Sequence, residues 1–208
     1  MSEQPQERPQ IYLSTPSAFD LEDFPARLAA VLDAHEVACV RLALASKDEY
    51  ELGRAADACR EVCHARDVAI VIESHVALAE RHGLDGVHLT DGSRSVRKVR
   101  KVLGDDAIVG SFCGASKHDG MTAGEIGADY VAFGPVGDTE LGDGTKAPRD
   151  LFEWWSLMIE VPVVAEGALT AEIVKDFTPV TDFFAIGDEI WSTEDPVAAL
   201  GELIAAMG

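Results

Sequence analysis

Gly127-Ala128-Asp129-Tyr130-Val131-Ala132-Phe133-Gly134-Pro135 holds an apolar run too short for a helix, opened by a glycine and closed by Gly-Pro. That pattern predicts a buried strand that stops abruptly at a functional loop. Two similar units flank it. Asp85-Gly86-Val87-His88-Leu89 comes before and Val161-Pro162-Val163-Val164-Ala165-Glu166-Gly167 after, each an apolar run halted at a polar or glycine-containing turn. The repetition predicts a parallel barrel.

Working outward, further short apolar runs over 11–13, 37–42, 68–72, 107–111 and 182–186 read as strands, with 86–89 and 161–165 completing the set. Between them lie stretches with helical spacing. Phe24, Leu28, Val31 and Leu32 mark a helix to about His35, and others are predicted over 48–66, 76–82, 93–103, within 121–126, from Pro148, from Thr170, and over 196–207. Near-continuous apolar strands alternating with amphipathic helices imply an α/β fold with a helix-covered parallel sheet, and eight such units close into a (β/α)8 TIM barrel. The prediction is one domain over 11–208 behind a polar tail over 1–10. A doubly wound sheet is the alternative, but the Ser14-Thr15-Pro16 turn lacks the glycine fingerprint of that fold.

At 208 residues and 47% hydrophobic the chain can bury a full core. Its formal net charge of −20 opposes DNA, RNA and anionic lipid, so no nucleic-acid or membrane partner is expected. The start has no apolar run behind a basic region, and no stretch reaches membrane-spanning length. The chain therefore reads as cytoplasmic. Cys39, Cys59, Cys63 and Cys113 lack paired metal-site spacings and read as buried free thiols.

In a barrel of this kind the C-terminal strand ends form the functional face, and Glu73, Glu166 and Asp188 fall there. They read as ligand-binding groups or as solvated loop carboxylates. Arg41 is the one cation predicted to point into the mouth, to pair with Glu73 or to contact a ligand. His88, inside strand four, reads as a buried histidine bonded to a strand carbonyl or carboxylate, with catalysis as the rival role. Cys113 reads as packing rather than as a nucleophile. Trp154, Trp155 and Trp191 read first as packing and then as subunit contacts, which would make a homo-oligomer.

The three units named above, with Gly134-Pro135 and Thr145-Lys146, resemble the thiamine-phosphate synthase family and its thiazole tautomerase relatives over nearly the whole chain. The resemblance implies a barrel that joins a pyrimidine pyrophosphate to a thiazole phosphate, with Mg2+ held by two aspartates and cations on the leaving group. Position by position, the family's V-Q-L-R-x-K reads Val40-Arg41-Leu42-Ala43-Leu44-Ala45, and its N-D-R reads Glu73-Ser74-His75. The second metal aspartate falls on Ser93, with Asp91 nearby. Strand five offers Ser111, and the following turn His118; the strand-six loop keeps Thr139, Thr145 and Lys146, the last as the best phosphate contact. At the phosphate cup Gly167 is kept, Ala168 replaces a second glycine, and Asp188-Glu189 replaces a serine-containing turn.

The implied function is that of a thiamine-phosphate synthase family protein of thiamine metabolism, with Mg2+ only if the synthase chemistry is kept. The alternatives are a divergent paralogue binding another small ligand, uncharged or cationic, and a tautomerase-like enzyme using His118 near Cys113. The expected small-molecule contacts are Arg41, Glu73, Ser111, Thr139, Lys146, Glu166, Gly167 and Asp188.

Overall fold

Eight parallel strands bond to one another in chain order and close on themselves, β1 against β8, in a computed structural model that describes residues 8–208. The strands are β1 Gln10–Ser14, β2 Cys39–Leu42, β3 Ala69–Glu73, β4 Gly86–Leu89, β5 Ile108–Phe112, β6 Tyr130–Phe133, β7 Val163–Glu166 and β8 Phe183–Ile186. Helices follow them as α1 Phe24–Ala34, α2 Glu49–His64, α3 Val76–Arg81, α4 Val96–Leu103, α5 Lys117–Glu125, α6 Arg149–Met158, α7 Ala171–Phe177, α8 Asp188–Trp191 and α9 Pro196–Ala206. The (β/α)8 barrel expected from the pattern is the architecture observed. Residues 1–7 of the expected tail lie outside the described residues, and Gln10 already belongs to β1.

Two differences from the pattern have plain causes. Helix α5 begins at Lys117 rather than near Met121, because Ser116 accepts a hydrogen bond from the Asp119 N–H and caps a first turn whose composition looks unhelical. The four-residue α8 escapes any periodicity test because it is barely one turn long.

Period-two alternation divides the core. One face of each strand packs outward on the helices, where Leu13, Val40, Ile70, Ile72, Val131, Phe133 and Ile186 join a large apolar cluster with Leu28, Leu52, Trp155 and Leu200. The other face fills the barrel with a smaller cluster that includes Tyr12, Cys39, Val71, Phe112, Tyr130, Ala132, Val164 and Ala185. Ser111 belongs to the outward set. Its hydroxyl donates to the Gly92 carbonyl at 2.7 Å, so this expected ligand contact instead ties the β5 end to the turn after β4.

The bottom of the barrel repeats one device. Asp85, just before β4, accepts the Ile70 N–H of β3 at 2.7 Å; Asp129, before β6, accepts the Val109 N–H of β5 at 2.7 Å; Asp182, before β8, accepts the Val163 N–H of β7 at 2.8 Å. Arg100 of α4 pairs with Asp129 and also donates to the Gly127 carbonyl, which fixes the entry to the opening stretch. The four cysteines are free and buried, and Cys59 and Cys63 share the buried face of α2. Trp155 and Trp191 are buried packing residues. No described helix is long and apolar enough to cross a membrane.

Glycine at 110 makes room for the barrel interior. A Cβ there would lie 1.9 Å from the Tyr130 ring, its register partner on β6. Gly110→Ala is therefore expected to push Tyr130 out of place and destabilise the fold by about 1–3 kcal/mol, as overpacking does. Urea unfolding monitored by circular dichroism checks this, and an unchanged midpoint would refute it.

Candidate functional site

Toward the C-terminal mouth the inward positions turn polar: Ser14 on β1, Arg41 on β2, Glu73 on β3, His88 on β4 and Glu166 on β7. Arg41 is the hub. Its Nη2 donates to Glu166 Oε2 at 2.7 Å, its Nη1 to His88 Nε2 at 2.7 Å, and its Nε to Ser14 Oγ at 3.3 Å. The Glu73 carboxylate is farther, 3.8 Å from Nε, so the main ionic partner is Glu166 rather than the expected Glu73. The guanidinium also lies 5.6 Å from the Tyr12 ring centre, at cation–π range. Burial alone disfavours the Arg41 charge, but the adjacent Glu166, with Tyr12 and Glu73, holds it above the ordinary arginine range.

Among the described residues His88 has neither a carbonyl nor a carboxylate partner, and its ring nitrogens meet Arg41 and Tyr130 instead, which corrects the expectation for that residue. Arginine can only donate, so His88 Nε2 must accept, and its proton sits on Nδ1, which donates to the Tyr130 hydroxyl at 2.9 Å. Tyr130 in turn shares a 2.7 Å hydrogen bond with Tyr12. Burial, then the Arg41 charge, lowers the His88 pKa well below the usual histidine range; burial raises both tyrosines. The chain from Glu166 through Arg41 and His88 to the two tyrosines is thus a static polar seam with one fixed tautomer. Burial thus keeps His88 neutral and both tyrosines protonated at neutral pH.

Above the seam opens a cavity of about 490 Å³. Of the residues singled out in the sequence, Arg41, Glu73, Thr139, Glu166, Gly167 and Asp188 line it together. Lys146 stands beside it, its Nζ 2.7 Å from Asp138, and so is already matched by a carboxylate of the same loop. The lining holds five carboxylates, from Glu73, Asp138, Glu166, Asp188 and Glu189, against one guanidinium. Glu166 is 3% exposed, and its Oε1 has no hydrogen-bond partner among the described residues. Burial, partly offset by Arg41 and reinforced by Glu166, raises the Glu73 pKa.

The sequence places Glu189 at the cup beside Asp188 but does not mark it as a contact residue. It lies in α8, and its carboxylate bridges the turns after β7 and β8: Oε1 accepts the Leu169 N–H at 3.0 Å and Oε2 the Gly187 N–H at 2.7 Å. Barrels of this architecture commonly hold phosphate with backbone N–H groups of these two turns. The backbone shape persists, with Gly167 at φ +97° and Ala168 held at φ +53° despite its side chain. Gly134 is required beside it, since a Cβ would sit 2.4 Å from the Glu166 carbonyl oxygen. Only the adjacency of Asp188 and Glu189 hinted at this in the sequence; both line the cavity, but only the geometry of α8 shows that Glu189 accepts the two N–H groups.

A second cavity, of about 560 Å³, lies toward β4 and β5 and is lined by Asp91, Arg94, Cys113, Asp119 and Asp143. Its residues do not suit Mg2+. Ser74 and Ser93, where the resemblance places the two metal aspartates, carry no carboxylate, the Ser74 hydroxyl is hydrogen-bonded to Thr90, and Asp91 accepts from Ser95. Among the described residues no three His, Cys, Asp or Glu side chains are grouped to hold a metal. Burial pushes the Cys113 thiol up to about 12, and His118 is exposed on the first turn of α5.

Two outcomes are expected at this site. Arg41→Met strands the Glu166 carboxylate and the His88 lone pair in a dry interior, so it should cost about 3–5 kcal/mol, with partial recovery in Arg41→Met/Glu166→Leu. Denaturant titration checks both, and a near-neutral single variant would refute the account. The raised Glu73 pKa means that the folded state keeps a proton which the unfolded chain has already released, so stability falls as pH rises from the ordinary glutamate value through the raised one. Glu73→Gln should flatten that decline in melting temperature across the weakly acidic range; parallel curves for variant and parent would count against it.

A family model described as thiamine monophosphate synthase matches residues 11–181. Thiamine-phosphate synthase of Rhodospirillum centenum is 41% identical over 199 residues, covering 92% of this chain and 94% of that protein. The enzyme of the same name from Erythrobacter litoralis is 38% identical over 206 residues, covering 95% and 96%. Among solved structures, a thiamine phosphate pyrophosphorylase from Pyrococcus furiosus superposes with a TM-score of 0.82 at 20% identity, covering 95% of each chain, which supports the fold. The whole-chain match to the family model and to these relatives shows that the chain belongs to the thiamine-phosphate synthase family.

Proposed function

We propose that this thiamine-phosphate synthase family protein binds a small molecule in its barrel mouth without a phosphate group in the cup after β7 and β8. One observation carries the reading: the Glu189 carboxylate takes the Leu169 and Gly187 N–H donors. A phosphate would have to displace it. Hydrogen bonds to a charged acceptor are worth about 1.5–3 kcal/mol each, and a displaced carboxylate about 4 Å from the anion would add roughly 4 kcal/mol of repulsion per unit charge at an effective dielectric of 20. The serines at the metal positions and the alanines at 43 and 45 act in the same direction, by removing groups that would neutralise a pyrophosphate.

The second reading is the coupling of pyrimidine pyrophosphate with thiazole phosphate, favoured by the 41% identity to a protein named thiamine-phosphate synthase. Under either reading the partner is a small molecule in the cytoplasm, and the net charge of −20 sets the surface against nucleic acid and anionic lipid. A homo-oligomer would use the exposed Leu157 and Met158 at the end of α6.

Calorimetric titration of the purified protein with inorganic phosphate and with pyrophosphate, the latter with and without Mg2+, separates the two. The first reading expects no saturable heat from the parent and a gain of phosphate binding, at least tenfold, in Glu189→Ser, which frees both N–H groups. Thiamine phosphate formed by the parent from both substrates and Mg2+ would overturn it and establish the second.

A further inference from the structure

The acidic lining alone would be a solvated face, but Glu166 is a different kind of group. It lines the cavity with its side chain at 4% exposure, one oxygen is committed to Arg41, and the other has no hydrogen-bond partner among the described residues. A buried acceptor left unmatched costs about 1–3 kcal/mol or more when charged, so this oxygen is a place where a donor gains more than it would in water. Arg41 donates to the other oxygen, Oε2, and among the described residues none of its N–H groups is bonded to Oε1. The Lys146 ammonium lies 2.7 Å from Asp138 instead, in an exposed pair. The Glu73 carboxylate lines the same cavity and adds a second acceptor.

We propose that Glu166 Oε1 and Glu73 form a receptor for a positively charged N–H group of the ligand, so that the cavity selects amines or amidinium compounds over carboxylates and phosphates. The inference rests on the reading of the mouth as a ligand site and goes further by naming the ligand's class. An amidinium suits the pair because it presents N–H donors in a planar fork that a carboxylate can accept, and its charge offsets that of two acids facing one cavity. A cavity of about 490 Å³ has room for a ring attached to such a group.

Benzamidine, cationic at pH 7.5, is the probe, with benzoate and benzyl alcohol as controls of similar size, each titrated into the intact protein by calorimetry. Saturable benzamidine binding, no benzoate binding, and at least a tenfold loss of benzamidine affinity in Glu166→Gln would support the proposal. Absence of saturable benzamidine binding by the parent, or equal affinity in Glu166→Gln, would overturn it. Because Glu166→Gln weakens the partner of a buried arginine, Glu73→Lys is measured alongside: it places a competing ammonium at the half-buried edge of the cavity and should abolish benzamidine binding. Retained affinity in a folded Glu73→Lys protein overturns the proposal independently. Phosphate titration reports on the functional reading separately, since Leu169 and Gly187, not Glu166, would hold that anion.

Discussion

A guanidinium enclosed by a barrel wall has to be matched before the sheet can close around it, and the upper half of this interior is arranged to meet that demand. Removing such a charge from water costs several kcal/mol even after relaxation, which a single ion pair rarely returns. Here Arg41 is met by a carboxylate at 2.7 Å, an imidazole nitrogen at 2.7 Å, a serine hydroxyl and an aromatic face. Each partner is constrained in turn. His88 must keep its proton on Nδ1, Tyr130 must stand where that proton points, and Gly110 must be bare for the Tyr130 ring to fit. The demands of one charge thus propagate through six strands.

The mouth above this seam joins a family scaffold to an acidic lining. The turns after β7 and β8 face one cavity, and the former holds Gly167 and Ala168 left-handed, at a cost of about 1–2 kcal/mol for the alanine. Glu189 then meets their N–H groups from within the chain. The field of the cavity is set by five carboxylates and one already committed cation. An anion and a cation entering that space face opposite electrostatic prospects, whatever reaction follows.

Much of the fold was legible in the sequence because a parallel barrel writes itself as repeated apolar runs with glycine or acidic stops, and local pattern is enough to see them. The strand ends carrying Glu73, Glu166 and Asp188 were legible for the same reason. Side-chain direction was harder to read. Ser111 turns outward because β5 extends to Phe112 and alternation then assigns Gly110 and Phe112 to the interior. Tyr12 and Tyr130 occupy inward positions that alternation could have identified, but their hydroxyl contacts join residues 118 apart in the chain. The partner of Arg41 was assigned to the neighbouring strand, whereas the closer carboxylate comes from across the barrel, a relation that only closure creates.

The aspartates at the bottom of the barrel bear on how such a chain finds its register. Each bond from Asp85, Asp129 and Asp182 spans only 15, 20 and 19 residues, and each ties the start of one strand to the residue that launches the next. Contacts of short sequence separation require little loop closure and can form early in folding. The three clamps thus set the pairs β3–β4, β5–β6 and β7–β8 as local folding units, leaving β1 and β2 without such a clamp among the described residues. The mouth contributes nothing to this step, because its polar contacts arise only once distant strands have met.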